Sequence, residues 1–198
     1  LEKILGEGRV LASPEDLFLY SYDSSFESEV HKYLPQAVVL PQNRDEVVEI
    51  VKFASRNSIP LTPRGAGTGQ CGGSVPASGG IVVDMCRMDR IVEVDADNLQ
   101  AIVEPGVVHA GLNATLAPHG LVFPPDPGSS KVCTLGGMVS YNARGMRGVK
   151  YGCTGDYVLG MEVVLASGEV ITTGSVGSRS LHSASGIDLT HLFVGAEG

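Results

Sequence analysis

The sequence lacks several features that would place it in a class at once. It has no tryptophan, aromatic residues make up 6%, and its 198 residues carry 14 Lys and Arg against 22 Asp and Glu. The formal net charge of −8 argues against nucleic acid as a partner, because binding to phosphate backbones needs clustered cations. No apolar run reaches the roughly 20 residues of a membrane-spanning helix, and the first residues show no signal-peptide pattern. We therefore expect a soluble protein.

Cysteine is scarce and glycine is plentiful. Cys71, Cys86, Cys133 and Cys153 form no C-x-x-C pair and no zinc-like spacing with the five histidines. We therefore expect free thiols in a reducing, cytoplasmic compartment rather than disulfides, and no metal site. The 26 glycines follow neither a collagen repeat nor a Ser/Gly linker pattern. They indicate many places where the backbone turns sharply or approaches another group closely.

The first part of the chain predicts alternating strands and helices. Short apolar runs at 36–40, 59–62 and 79–85 predict buried strands. Between the first two runs, Asn43 with Glu46 three positions later predicts a capping box. The apolar positions that follow at helical spacing are Val47, Ile50, Val51 and Ala54. Strand, helix and strand in this order predict a βαβ unit with parallel strands.

From about residue 89 the pattern changes to short strands separated by turns. These strands are predicted at 91–94, 100–107 and 158–174, where Ser167-Gly168 marks a hairpin turn. One short helix carries Val108, Leu112 and Leu116 and ends before Pro118. The sequence therefore predicts an α+β fold, in which a subdomain of about residues 1–88 is intimately joined to one of about residues 89–198.

Two glycine-rich segments carry the functional signal. In PRGAGTGQCGGSVP (63–76) the glycines directly follow a predicted strand, which lets successive backbone N–H groups bind one phosphate. The segment lacks the G-K-[ST] ending of a P-loop, and a plain surface turn is the alternative. In 124–152 glycines alternate with small hydroxyl and amide side chains. That composition predicts a second wall of a ligand site, with structural turns around a short helix as the alternative.

Taken together, the motifs resemble a known family. Their order is PRGAGTGxxGG, VEPGV (103–107), PPDPGSS (124–130), TLGG (134–137), NARG (142–145), KYG (150–152), VLGMEVVLASGEV (158–170) and DLTHLFVGAEG (188–198). This order resembles the FAD-binding domain of flavoproteins of the vanillyl-alcohol oxidase and p-cresol methylhydroxylase (PCMH) type, above all the glycolate oxidase flavin subunits and D-lactate dehydrogenases. The resemblance implies a small parallel βαβ lobe, a mainly antiparallel lobe with helices, and noncovalent FAD extended between them.

The resemblance also implies which residues bind FAD. Those at the pyrophosphate would be Arg64, Gly65, Ala66, Gly67, Thr68, Gly69, Gly73 and Ser74. Those lining the flavin and ribityl side would be Thr134, Gly136, Gly137, Ser140, Asn142, Gly145, Tyr151 and Gly152. Those towards the adenine would be Pro105, Gly106 and Val107, and the PPDP wall would contribute Pro125 and Asp126.

Four positions depart from the family pattern. Met138 replaces a usual Asn, Arg144 a small residue, Ile187 a Tyr and His182 a Lys. Arg144 would either bring a cation to the flavin, which favours its anionic reduced form, or point to solvent. His182 is expected at the surface rather than as an acid or base.

The implied activity is FAD-dependent oxidation of a small 2-hydroxy acid, of the glycolate or D-lactate class, by hydride transfer to the flavin. The resemblance places the substrate groups in a cap domain beyond residue 198, so the 198 residues alone are expected to be inactive. Electron acceptors would be a quinone, a cytochrome, an electron-transfer protein or a companion oxidase subunit, and any membrane association would be made through such partners. The alternatives are a flavin-holding electron-relay subunit, an alkylglycerone-phosphate synthase-like transferase and an NADPH-dependent enolpyruvyl reductase.

Overall fold

The computed structural model describes residues 1–26, 32–176 and 186–198. Their contacts divide the chain into two units, one of residues 1–88 with 164–170 and one of residues 89–163 with 171–198. The segment 164–170 therefore groups with the first unit, although it follows most of the second unit along the chain. Among the described residues, no helix is both long and apolar enough to cross a membrane.

The first unit contains a four-stranded sheet. Its strands are β1 (Val10–Leu11), β2 (Ala37–Val39), β3 (Leu61–Arg64) and β4 (Ile81–Asp84), in the spatial order β1-β2-β4-β3. The predicted parallel pairing is confirmed, but β2 and β3 each pair with β4, which lies between them. All four residues of β4 are buried, and a strand that is buried along its whole length belongs in the centre of a parallel sheet. The edge strand β1, which the sequence did not indicate, pairs antiparallel to β2.

Three helices cover this sheet: α1 (Glu2–Leu5), α2 (Pro14–Leu19) and α3 (Arg44–Arg56). On one face Leu5 and Ile50 pack with strand residues, and the opposite strand face packs with residues of α2. The predicted cap of α3 is confirmed, since the Asn43 side chain accepts from the Glu46 N–H at 3.0 Å. The return bond of the expected capping box is different, because the Glu46 carboxylate accepts from the Gln42 N–H instead.

The second unit begins with an antiparallel pair, β5 (Ile91–Asp95) and β6 (Gln100–Val103). The strand predicted to reach residue 107 ends at Val103, because Pro105 has no N–H for a ladder. Helix α4 (His109–Leu116) follows as predicted. The later helices are α5 (Leu135–Ser140), α6 (Gly148–Tyr151) and α7 (Thr190–Phe193). The apolar core of this unit consists of Val107, Leu112, Leu116, Cys133, Leu135 and Met138.

The predicted hairpin is present as β7 (Gly160–Val164) and β8 (Val170–Gly174). Its turn is closed by the Leu165 N–H, which donates to the Glu169 carbonyl at 2.8 Å. Gly168 has a φ of +81°, a conformation that favours glycine. All four cysteines are free thiols, and burial raises the pKa of the Cys133 thiol.

Candidate functional site

The loop after β3 presents a run of unused backbone donors. Residues 65–73 include five glycines, and none of their N–H groups donates a hydrogen bond to another described residue. Gly67 and Gly72 have φ values of +66° and +79°, which residues with a side chain rarely adopt. Free N–H groups in a glycine-rich turn form a concavity that binds anions. The loop therefore fits a phosphate group without any lysine.

The buried Arg64 side chain forms hydrogen bonds at the end of this loop. Arg64 ends β3, and its Nη1 donates to the Tyr22 carbonyl at 2.8 Å and to the Ser74 carbonyl at 3.3 Å. Its guanidinium lies over the Tyr20 ring, with Cζ 5.4 Å from the ring centroid. Through these hydrogen bonds, the Arg64 side chain at the end of β3 connects Tyr22 to Ser74 at the far end of the glycine loop.

The same region contains two buried carboxylates that the sequence analysis missed. The Tyr20 hydroxyl donates to Asp84 at 2.7 Å, and the Ser74 hydroxyl donates to Asp23 at 3.3 Å. Burial raises the pKa of the Tyr20 hydroxyl, and the Asp84 carboxylate raises it further. The Ser74 side chain is therefore directed to Asp23. Ser74 does lie at the end of the glycine loop, but its hydroxyl forms a hydrogen bond within the protein.

In the second unit, the turn 105–107 packs against the start of α5. The Leu135 N–H donates to the Val107 carbonyl and the Gly136 N–H to the Pro105 carbonyl, both at 2.8 Å. A side chain at residue 136 would place its Cβ 2.6 Å from the Pro105 Cβ. The Gly137 N–H donates to Thr134 Oγ1 at 3.3 Å. The structure thus brings residues 105–107 and the start of α5 together, and these hydrogen bonds use the first N–H groups of α5 within the protein.

The PPDP segment is fastened to the NARG segment by its backbone. Asp126 N–H donates to the Arg144 carbonyl at 3.0 Å, and the Met146 N–H donates to the Asp126 carbonyl at 3.3 Å. Gly145 has a φ of +117°, and a Cβ at this position would overlap the Asp126 carbonyl. Glycine at 145 is therefore required by the close approach of these two backbones. Arg147 also forms an ion pair with Asp126 at 3.3 Å.

Asn142 connects α5 to the turn that follows Tyr151 and Gly152. Its backbone is left-handed, with φ of 47°, and its Oδ1 accepts from the Gly155 N–H at 2.8 Å. The carbonyl of Tyr151 accepts from the Tyr157 hydroxyl at 2.8 Å. No described residue accepts from Asn142 Nδ2 or from the Ser140 hydroxyl, so these two predicted site groups are available to a ligand.

The four family departures fall in different places. Met138 is 2% exposed and belongs to the apolar core. Arg144 is exposed, as is Ile187. A residue that lines an open cofactor site is exposed as well, so the choice between a flavin-facing and a solvent-facing Arg144 stays a prediction. His182 lies outside the described residues.

A histidine clamp near residue 155 was not anticipated from the sequence. His191 Nδ1 lies 2.6 Å from the Asp188 carboxylate, and Nε2 lies 3.0 Å from the Gly155 carbonyl. Since both neighbours accept hydrogen bonds, the doubly protonated ring is favoured and the pKa of His191 is raised. Hydrogen bonds from Cys153, chiefly its backbone N–H, lower the pKa of nearby Asp156, and the charges of His191 and Arg144 lower it further. No cluster of metal-binding side chains occurs among the described residues.

Comparison with known proteins agrees with this geometry. The FAD binding domain family model matches residues 35–174. The chain is 44% identical over 180 residues to the glycolate oxidase subunit GlcD of Bacillus subtilis, covering 91% of this chain and 37% of that protein. It is 47% identical over 161 residues to a D-lactate dehydrogenase of Archaeoglobus fulgidus, covering 81% of this chain and 35% of that protein. The chain thus spans little more than a third of these relatives' length.

Solved structures show the same fold. An alkyldihydroxyacetonephosphate synthase superimposes with a TM-score of 0.85 at 23% identity, covering 100% of this chain and 39% of that one. A p-cresol methylhydroxylase with substrate bound gives a TM-score of 0.83 at 25% identity, covering 98% and 39%. The α+β fold of the PCMH type is confirmed. With the glycine-rich loop after β3 and a family match over residues 35–174, this chain belongs to the FAD binding domain family and uses FAD as its cofactor.

Proposed function

We propose that this chain is the FAD-binding domain of an oxidoreductase that oxidises a small 2-hydroxy acid of the glycolate or D-lactate class. The main support for the cofactor site is the set of unused N–H groups in residues 65–73, because such groups fit a diphosphate. The substrate class is supported by the names of relatives that are 44% and 47% identical to this chain. The bound flavin supplies the hydride acceptor for such an oxidation.

In the first unit, we assign the pyrophosphate contacts to residues 65–69 and Gly73, whose backbone N–H groups are unused. In the second unit, we assign the Ser140 hydroxyl and Asn142 Nδ2 to the flavin and ribityl side. Thr134, Gly136, Gly145 and Gly152 shape that unit's surface through contacts within the protein. Residues 105–107 remain assigned to the adenine side, and Pro125 and Asp126 to the adjoining wall.

For the whole protein we further propose a substrate-binding cap domain and an electron acceptor, which would be a quinone, a cytochrome, an electron-transfer protein or a companion subunit. We propose a cytoplasmic location, with any membrane association made through those partners. These assignments rest on the resemblance to 2-hydroxy-acid dehydrogenases.

Noncovalent FAD is tested by purifying the chain under gentle conditions. We expect yellow protein with flavin absorption bands, and acid precipitation should leave the flavin in the supernatant. Colour that stays in the pellet would indicate a covalent bond and contradict the noncovalent assignment.

The substrate class is tested with the protein at its natural length. Glycolate, D-lactate and L-lactate are compared as substrates with an artificial electron acceptor, and turnover of glycolate or D-lactate is expected. An enzyme that binds FAD but oxidises none of these acids would contradict the substrate assignment while leaving the cofactor assignment intact.

A further inference from the structure

Gly155 is buried in a turn where two other parts of the second unit meet. Its N–H donates to Asn142 Oδ1 at 2.8 Å, and its carbonyl oxygen lies 3.0 Å from His191 Nε2. A Cβ at this position would lie 3.0 Å from Val194 Cγ1 and 3.1 Å from Asn142 Oδ1. Because the packing is this close, a displacement of Gly155 would also displace the Asn142 side chain, whose Nδ2 we assign to the flavin side.

The His191 ring faces a hydrogen-bond acceptor at each of its nitrogens. Nδ1 lies 2.6 Å from one carboxylate oxygen of Asp188, whose other oxygen accepts from the His191 backbone N–H at 3.1 Å. Nε2 faces the Gly155 carbonyl. A neutral imidazole carries only one N–H, so it would point a lone pair at one of these two oxygens. Both contacts are therefore satisfied only when the ring is doubly protonated.

The groups around the ring favour this protonated form. The hydrogen bond to Asp188 raises the pKa of His191 most, followed by the hydrogen bond to Gly155 and by the charges of Asp188 and Asp156, while partial burial lowers it. The nearby cation Arg144 acts on Asp156, whose pKa it lowers. The His191 side chain is 51% exposed, so its protonation follows the pH of the solvent.

The chain that follows α7 packs on the backbone of α5. The Gly195 N–H donates to the Val139 carbonyl at 3.0 Å, and the Glu197 N–H donates to the Ser140 carbonyl at 2.8 Å. The hydroxyl of Ser140 is the second group that we assign to the flavin side. His191 thus fastens the helix from which this segment continues, and both assigned flavin contacts are connected to it through hydrogen bonds and consecutive backbone.

We infer that His191, in its doubly protonated form, is a positioning residue for the flavin side of this unit and acts through Gly155 on Asn142. FAD affinity should then decrease as the pH rises through the folded pKa of His191, because the neutral ring gives up one of its two contacts. By linkage, bound FAD should in turn raise the pKa of His191. The inference rests on the proposed cofactor site and makes that site sensitive to pH.

The first test measures FAD affinity by flavin fluorescence at pH 6 and pH 9. Wild-type affinity should be roughly 3- to 10-fold weaker at pH 9, since one charge-assisted hydrogen bond of a half-exposed group is lost. His191→Gln should bind with the weaker affinity at both pH values. His191→Lys keeps its charge over this range, so its affinity should not change with pH.

His119→Gln is the matched control, because His119 is an exposed histidine of the same unit, and it should keep the wild-type pH dependence. The same pH dependence in the wild type and His191→Gln would overturn the inference. A wild type that binds no FAD at either pH would instead contradict the proposed function.

The second test follows the His191 ring protons by NMR titration with and without FAD. The titration midpoint should be higher with FAD by about 0.5–1 pH unit, which is the same 3- to 10-fold effect measured from the other side of the linkage. A residue with a merely structural role would not respond to the cofactor in this way. An unchanged midpoint in protein that binds FAD would count against the inference.

The third test needs no FAD. Amide hydrogen exchange of Gly155, Gly195 and Glu197, corrected for the intrinsic rate at each pH, reports whether the contacts around His191 are closed. Protection in the wild type should fall from pH 6 to pH 9, and in His191→Gln it should be low at both. Constant protection of these amides in the wild type would overturn the inference whether or not FAD binds.

Discussion

Two adjacent glycines in α5 should respond differently to the same substitution, replacement by alanine. Gly136 and Gly137 are neighbours in one helix turn, but their surroundings differ. A Cβ at 136 would lie 2.6 Å from the Pro105 Cβ and 2.9 Å from the Pro105 carbonyl oxygen. A Cβ at 137 would meet only Thr134 Oγ1, at 3.2 Å. We therefore expect Gly136→Ala to destabilise the second unit and Gly137→Ala to be nearly neutral.

The magnitude follows from two opposing effects. Replacing a helical glycine by alanine gains about 0.5–1 kcal/mol, because the unfolded chain has less backbone freedom to lose. Forcing a methyl group into a filled site costs about 1–3 kcal/mol. Since the obstacle at 136 includes backbone, which moves less easily than a side chain, the net loss for Gly136→Ala is about 1–2 kcal/mol. At 137 only a hydroxyl must shift by a few tenths of an ångström, and the net change stays within about 0.5 kcal/mol.

Thermal unfolding followed by circular dichroism measures this difference. For a chain of this size, roughly 2–4 °C per kcal/mol predicts a midpoint for Gly136→Ala that is lower by about 2–8 °C. Gly111→Ala, in α4 with open space around its Cβ, is the control for the helix-propensity gain. A Gly136→Ala midpoint equal to or above that of Gly137→Ala would refute the packing argument.

Three further outcomes are expected. Val82→Ala truncates a side chain of β4 with 0% exposure and should lower the free energy of unfolding, measured by urea titration, by about 2 kcal/mol. Val92→Ala truncates a side chain that is 60% exposed and should leave the free energy of unfolding unchanged. The pKa of His191 is raised in the folded protein. The stabilisation by its protonated ring is therefore complete below the unfolded pKa of about 6.5 and is lost as the pH rises through the folded pKa. The difference in urea midpoint between the wild type and His191→Gln should narrow from pH 6 to pH 9, and a constant difference would contradict the proposed hydrogen bonds of His191. Gly145→Ala overlaps the Asp126 carbonyl and should give less folded protein than Gly128→Ala, by circular dichroism at 25 °C.

Some elements could be predicted from the sequence because their signals are local. The Asn43 cap, the helix beginning near Val108 and the Ser167-Gly168 turn each depend on a few consecutive residues, and all three are present. The strand positions followed from apolar runs, although their ends shifted by a few residues. The pairing order of the sheet did not follow, because strand order depends on which strand is buried on both faces. Nothing in the run 79–85 alone distinguishes it from the others.

The sequence by itself determined that a glycine-rich loop follows a buried strand at Arg64, because strand propensity and glycine spacing are properties of neighbouring residues. Only the tertiary structure shows which side chains pack against that loop. Tyr20 and Asp84 are 64 positions apart and meet at 2.7 Å, and Gly67 faces Arg64 rather than open solvent. Likewise, the glycines at 136 and 145 are needed because distant backbone at Pro105 and Asp126 packs against them. Such contacts depend on how the chain folds back on itself, and no local pattern of residue types encodes them.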